Sequence, residues 1–398
     1  MAGVVRKRSK RLAELMSNQF NSVLASPLFG GVYAGRKILV TGHTGFKGAW
    51  LCEWLLQLGA EVHGYALDPQ PEAVLFAQLE LSRRLAADHR GDLAERNRLT
   101  DLISTLAPDF VFHLAAQPIV RLSYDIPVET FATNVMGTIN VMDALRQSSQ
   151  PCVAVMVTTD KCYENREWLH AYREEDAMGG YDPYSASKGA AEIAIGAWRR
   201  SFFSGADSPV RLASGRAGNV IGGGDWAPDR IVPDCFRAIR AGQSIPVRNR
   251  IATRPWQHVL EPLAGYLHLA AAMSQAGIGP HGPALQALCG AFNFGPALAS
   301  NRTVAELVVE LMRHAGGKWH DASDAAAPHE AGKLNLATDK AFHLLNWRPV
   351  WDFAATIRET SAWYMETTAG GDPGEMTRRQ IAAYTAAATA VGVGWATP

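Results

Sequence analysis

The sequence predicts an α/β protein built on a doubly wound parallel sheet, followed by a smaller α/β C-terminal domain, and three observations carry that prediction. A short aliphatic run, KILVT at 37–41, opens directly into glycines at positions 42, 45 and 48. A helix-spaced apolar segment follows, and then a second aliphatic run ending in Asp68. Further apolar runs, DFVFHLA at 109–115 and AVMVTT at 154–159, come after helical patterns, which is the rhythm of strand–helix–strand units.

Each element has a local reason. Lys37 to Thr41 is β-branched and aliphatic with no polar alternation, as suits a parallel strand buried on both faces. Ala49 to Leu58 carries apolar residues at helical spacing and ends at Gly59, a C-terminal cap. Between them Gly42, Gly45 and Gly48 let the backbone turn tightly and approach a pyrophosphate, while the helix N-terminus offers free N–H groups to it. This is a Rossmann-like arrangement. Val62 to Leu67 forms the second strand, and Asp68 follows the third glycine by about 20 residues, where an acidic side chain binds ribose hydroxyls. Its carboxylate would repel a 2′-phosphate, so NAD is favoured over NADP. Alone, an Asp before Pro69 would more often be a turn residue. Ligands gather at the carboxyl ends of such strands, which places Asp92 and Leu93, and Leu114, Ala115 and Ala116, beside the cofactor.

Composition limits the partners. A chain of 398 residues with 47% hydrophobic and 19% charged residues can bury a large core. Lysine plus arginine equals aspartate plus glutamate at 38 each, so no global field favours nucleic acid or an anionic membrane. The five cysteines form no CxxC pair, which fits a reducing cytoplasm without a zinc site or disulfide framework. No apolar run reaches the roughly 20 residues that span a bilayer. His113 and His258 have no ligand-spaced partners, so no metal is expected.

The second chemistry-bearing stretch is VTTDKCYEN, followed by YDPYSASKGAAEIAIGAW. Tyr184 and Lys188 share one face of a helix starting near Ser185. A Tyr-x-x-x-Lys spacing is common by chance, yet here it follows a dinucleotide-binding half. A cationic Lys188 would then hold a ribose and lower the phenol pKa, making Tyr184 a base for a hydroxyl proton, with Thr159 bonding the same hydroxyl.

Taken with VTGHTGFKGAW, GYALDP, HLAAQPIVRLSY, TTDKCYENREW, RAGNVIGGGDWAPDRIVPD, RPWQHVLEPLAGYL and FNFGP, these motifs resemble the extended short-chain dehydrogenase/reductases over roughly residues 36–365. Within that superfamily the chain resembles the nucleotide-sugar 4,6-dehydratases, and among these the branch acting on CDP-glucose. The resemblance implies cofactor contacts at Gly42, Thr44, Gly45, Phe46, Lys47, Gly48, Asp68, Asp92, Leu93, Leu114, Ala115, Ala116, Tyr184 and Lys188. It also implies a reaction in three steps. C4 of the sugar is oxidised by NAD with Tyr184 as base, water is lost across C5 and C6, and C6 is reduced. In related dTDP-sugar enzymes an Asp–Glu pair performs the elimination. Here the pair is Asp160–Lys161. Asp160 would protonate the departing hydroxyl if burial keeps it neutral. Lys161 is either a neutral base at C5, the preferred reading, or a cation stabilising the enolate. Asn219, Arg230 and Arg254 are the expected substrate-binding residues, the arginines facing the diphosphate. A homodimer or homotetramer is the family expectation. A 4-epimerase shares the Thr/Tyr/Lys set, and a non-catalytic NAD-binding protein shares the fold.

The expected organisation is an extension outside the fold over 1–35, a cofactor domain over 36–215, a substrate-binding domain over 216–365 with parts returning to the sheet, and a peripheral helix with a frayed tail over 366–398.

Overall fold

The protein is described by a computed structural model covering residues 28–71, 74–205, 207–276, 285–323 and 332–397. Its centre is a seven-stranded sheet of β1 (Lys37–Thr41), β2 (Glu61–Ala66), β3 (Ala87–Arg90), β4 (Phe110–His113), β5 (Cys152–Val157), β6 (Val210–Ala217) and β7 (Ala291–Phe294). The spatial order is β7-β6-β5-β4-β1-β2-β3, and every neighbouring pair is parallel. The order reverses between β1 and β4, and Val40 pairs with Gly64 on one side and Phe112 on the other. That reversal opens the crevice in which such sheets hold ligands.

Both sheet faces are covered, which is why the central strands β1, β4 and β5 read as nearly unbroken apolar runs. Leu39, Val111, Ala154, Met156 and Leu212 pack in one cluster, beneath α2 (Arg96–Leu106), α3 (Thr138–Gln147) and α4 (Pro183–Phe202). Ile38, Val40, Phe112, Val155 and Ala213 pack in the other, with the glycine-turn helix α1 (Phe46–Gln57), α6 (Leu260–Gln275) and the C-terminal helices. Burying each such Val, Leu, Ile or Phe side chain contributes about 1.5–3 kcal/mol.

The boundary of α1 shows what sets it. It starts at Phe46, earlier than its apolar spacing suggests, because the glycine turn itself winds into the helix. It closes with Gly59 at φ +78°, whose N–H donates to Leu56 O while Ala60 N–H donates to Leu55 O. This paired termination needs the left-handed conformation glycine supplies. At the other functional helix, Asp182 caps α4 by accepting from Ser185 N at 2.9 Å and Ser185 Oγ at 2.6 Å, with Pro183 in the first turn.

The smaller part of the molecule carries α5 (Ile231–Arg240), a parallel pair of Ile245–Val247 with Trp319–Asp321, and an antiparallel pair of Thr253–Pro255 with Asn301–Thr303. Its helix α7 (Val304–Ala315) begins with a reciprocal cap between Thr303 and Glu306. Three further helices follow: α8 (Asp339–Leu345), α9 (Phe353–Thr368) and α10 (Pro373–Val391).

Two expectations from the sequence are corrected here. Residues 28–35 belong to the fold: Phe29 and Tyr33 are buried, and the Tyr33 hydroxyl donates to Leu267 O. The remainder of the expected extension, 1–27, lies outside the described residues. Nor is the C-terminal helix peripheral or the tail frayed. Tyr384 and Trp395 are buried, and Trp395 stacks on Phe29 with centroids 4.9 Å apart. The first and last described segments meet over α1, where Trp54 packs edge-on against Phe29, Tyr384 and Trp395.

Candidate active site

One large cleft of about 1520 Å³ runs along the carboxyl ends of the strands into the smaller domain. That exceeds the roughly 300–1,000 Å³ of a typical single-ligand pocket, so it has room for two ligands side by side. All of the sequence-predicted site residues line it: Gly42, Thr44–Gly48, Asp68, Asp92, Leu93, Leu114–Ala116, Thr159–Lys161, Tyr184, Lys188, Asn219, Arg230 and Arg254.

The glycine turn is shaped to bring backbone close to a ligand. Gly42 sits at φ +73°, and a Cβ there would fall 2.7 Å from Ala115 N. A Cβ on Gly48 would fall 2.2 Å from Gly42 O. Neither position admits a side chain, and the helix N-terminus they create suits a pyrophosphate. At the end of β2 the Asp68 side chain is 90% exposed, free to reach a ribose, although Arg90 Nε lies 3.9 Å away. Sequence reasoning missed Arg90, which is held by Asp88 at 2.6 Å and lies over the Phe76 ring.

The chemical groups converge where β5 meets α4. Thr159 Oγ1 donates to Asp160 Oδ1 at 2.9 Å and accepts from Lys161 N at 3.4 Å, which holds the short helical turn Asp160–Cys162. The Thr159 side chain is also hydrogen-bonded to the Tyr184 phenol. Asp160 is buried, and its Oδ2 has no hydrogen-bond partner among the described residues. Burial raises its carboxyl pKa, against the opposing influences of Lys161, Thr159, Arg254 and Lys47. That direction favours the protonated acid. Gly218, absent from the sequence-based set, presses on it: a Cβ there would lie 2.5 Å from Asp160 Oδ2. Lys161 is half-buried at the cleft wall.

One electrostatic expectation is corrected. Lys188 was expected to lower the Tyr184 phenol, but burial dominates and pushes it up to about 12. The Thr159 bond and Arg230 pull it down, while Asp160 and Asp182 push it up, so Arg230 is the leading cationic influence. Lys188 itself is brought down to about 8 by burial, with Glu192 and Cys162 opposing. Lys47 is brought down to about 7 by burial and then by Arg230 and Lys188, with Asp160 opposing. Lys47 thus feels Asp160, Lys188 and Arg230, which come from three other segments across the cleft.

On the far wall Arg254 is buried, donates to Thr253 O at 2.9 Å and exerts its charge on Asp160. Arg230 is half-buried with Asp225 at 3.5 Å. His113 is buried between Thr41 Oγ1 at 2.7 Å and Thr138 Oγ1 at 3.0 Å. Among the described residues no group of three or more His, Cys, Asp or Glu is placed to hold a metal.

With this fold and cleft the chain belongs to the family described as GDP-mannose 4,6 dehydratase, whose model matches residues 39–360. It is 43% identical to the CDP-glucose 4,6-dehydratase of Salmonella typhimurium over 90% of this chain and 98% of that protein. The dTDP-glucose 4,6-dehydratase of the same organism is 24% identical, over 83% of this chain and 93% of that protein. Among solved structures, the dTDP-glucose 4,6-dehydratase of Streptomyces venezuelae, solved with NAD and TYD bound, superposes with a TM-score of 0.70 at 22% identity. That match covers 85% of this chain and 99% of the other. The UDP-glucose 4-epimerase of Thermotoga maritima superposes with a TM-score of 0.69 at 19% identity, over 83% of this chain and 99% of the other.

Proposed function

We propose that the protein is an NAD-dependent CDP-glucose 4,6-dehydratase, converting CDP-D-glucose to CDP-4-keto-6-deoxy-D-glucose and water. The observation that carries this reading is Asp160, a buried acid with a free oxygen in the wall that also holds Thr159, Tyr184 and Lys188. A 4-epimerase uses the last three and has no task for such an acid. The substrate base rests on the 43% identity to the Salmonella enzyme.

NAD would be held by the glycine turn, Asp68, Asp92–Leu93, Leu114–Ala116 and Lys188, and when bound it would supply the hydride acceptor for C4 and the hydride donor for C6. Tyr184 takes the C4 hydroxyl proton, with Thr159 orienting that hydroxyl and Lys188 supplying positive charge. The resulting 4-ketone acidifies the C5 hydrogen. Lys161, in its neutral form, removes that proton, and protonated Asp160 gives its own to the C6 hydroxyl, which leaves as water; Lys161, now protonated, returns a proton to C5 as C6 is reduced. Asn219, Arg230 and Arg254 hold the diphosphate.

Incubation of purified protein with NAD and CDP-glucose, followed by mass analysis, tests the reading. A product lighter by one water is expected, and an isobaric product would replace the dehydratase reading with epimerisation. Parallel dTDP-, GDP- and UDP-glucose reactions test the base.

The active form we infer is a homodimer or homotetramer, because Val128 and Met136 on the segment leading into α3, with Ile193 on α4, expose 74%, 52% and 62% of their surface. The buried free thiols of Cys52, Cys152, Cys162 and Cys235 suit a cytoplasmic protein.

A further inference from the structure

We propose that the buried ion pair Glu192–Arg216 is a positioning device for the reaction, clamping the catalytic turn at both ends and setting a carboxylate one helical turn from Lys188. This rests on the dehydratase reading for its kinetic part.

The geometry is specific. Glu192 lies one helical turn beyond Lys188 on α4, on the same face as Tyr184. Its Oε1 accepts from Thr158 Oγ1 at 2.5 Å, and its Oε2 accepts from Ser214 Oγ at 3.0 Å and Arg216 Nη2 at 2.7 Å. Thr158 immediately precedes Thr159. Arg216 Nη1 donates in turn to the Tyr163 hydroxyl at 2.7 Å and to Glu174 O at 3.0 Å. Its guanidinium also lies over the Tyr163 ring, 5.0 Å from the centroid. Tyr163 immediately follows the Asp160–Cys162 turn, and its hydroxyl donates to Asn293 Oδ1 at 2.7 Å on β7. One ion pair thus grips the residue before Thr159 and the residue after Cys162.

The pair is poorly explained by stability. Its side chains are only 3% and 5% exposed, and two buried charges are commonly no more stabilising than apolar residues of the same volume. Its charge has a specific recipient. Burial pulls the Lys188 amine down, and the first opposing influence is Glu192, followed by Cys162. The other titratable groups facing Lys188 are His113 on β4 and Lys47 on α1. Glu192 itself is pushed up by burial, yet Arg216 and the bonds from Thr158 and Ser214 hold it below its usual value. It faces Cys162 on the turn, and Arg199 on its own helix feels its charge.

The test compares wild type, Glu192→Gln and the double variant Glu192→Gln/Arg216→Met in the full chain. The single variant strands a buried arginine and can lose its fold; the double variant leaves no unpaired charge. Acetic anhydride labelling of Lys188 against pH, read by peptide mass spectrometry, reports its protonation without turnover. The expected result is a midpoint lower by about one to two pH units in the folded double variant. The alkaline limb of kcat with CDP-glucose should move acid by the same amount, with KM changed less than twofold. A folded double variant with the wild-type midpoint and pH profile overturns the proposal. If wild type makes no dehydrated product, the functional reading fails while the labelling midpoint still decides the charge assignment.

Discussion

Replacing Asp160 by Asn isolates the elimination from the oxidation. The substitution preserves volume and keeps an oxygen to accept from Thr159 Oγ1, now at 2.9 Å, but removes the proton that Asp160 would deliver. A general acid contributes about 10²–10⁴-fold. Because Oδ2 is buried without a partner, bulk water has poor access to replace the lost proton. The loss therefore belongs in the upper range, about 10³–10⁴-fold, or about 4–5.5 kcal/mol of barrier at 1.36 kcal/mol per tenfold. Folding should be spared, since an amide is less costly to bury than an ionisable carboxyl. In a single-turnover experiment with CDP-glucose, absorbance at 340 nm should rise as C4 is oxidised and then persist, because the ketone is not consumed. Mass analysis should show no dehydrated product on that timescale. A variant that dehydrates at the parent rate, or that loses C4 oxidation in equal measure, refutes the assignment of Asp160 to the departing hydroxyl.

Lys161→Ala should leave C4 oxidation partly intact and slow water loss about 10²–10⁴-fold as a missing base; exchange of the C5 hydrogen with solvent deuterium checks it, and undiminished exchange rules out the base role. Tyr184→Phe should instead suppress the first rise at 340 nm by a similar factor, about 10²–10⁴. Glu261 provides a stability test, because its buried carboxylate accepts from Val350 N, Trp351 N and the Tyr384 hydroxyl, and burial pushes it up to about 7. The folded form then binds a proton that the unfolded form releases near its ordinary value of 4.5, so stability is greatest below that value and falls by about 3 kcal/mol as pH rises through about 7. Glu261→Gln should flatten that dependence in urea titrations at pH 5 and 8, and an unchanged slope would show that Glu261 is not its source. Trp395→Ala should cost about 3–5 kcal/mol, measured by chemical denaturation, because it empties the site where Trp395 stacks on Phe29.

The strands near the cofactor, the glycine turn and the Tyr-x-x-x-Lys face were legible because each is a short-range pattern. Strand β1 occupies the predicted residues, while β2 and β5 each begin and end slightly earlier than the apolar runs suggested. Apolar periodicity does not mark where the last ladder hydrogen bond falls. The N-terminal and C-terminal segments were misread for a different reason. Phe29 and Trp395 carry no local periodicity, and their value as core residues exists only once both pack on α1. The Glu192–Arg216 pair was equally invisible, since a glutamate in the middle of an amphipathic helix reads as solvated until β6 brings an arginine beneath it.

By itself the sequence determined the strand–turn–helix order and the glycine turn, because those depend on residue type at fixed short spacing, while the candidate reacting side chains were named there through a resemblance. Only the tertiary structure decided the electrical state of those side chains. Burial raises Asp160 and Tyr184 and lowers Lys188 and Lys47, and charged or hydrogen-bonding neighbours then oppose or deepen each shift. Desolvation belongs to the packed cleft, so spacing along the chain carries no record of it.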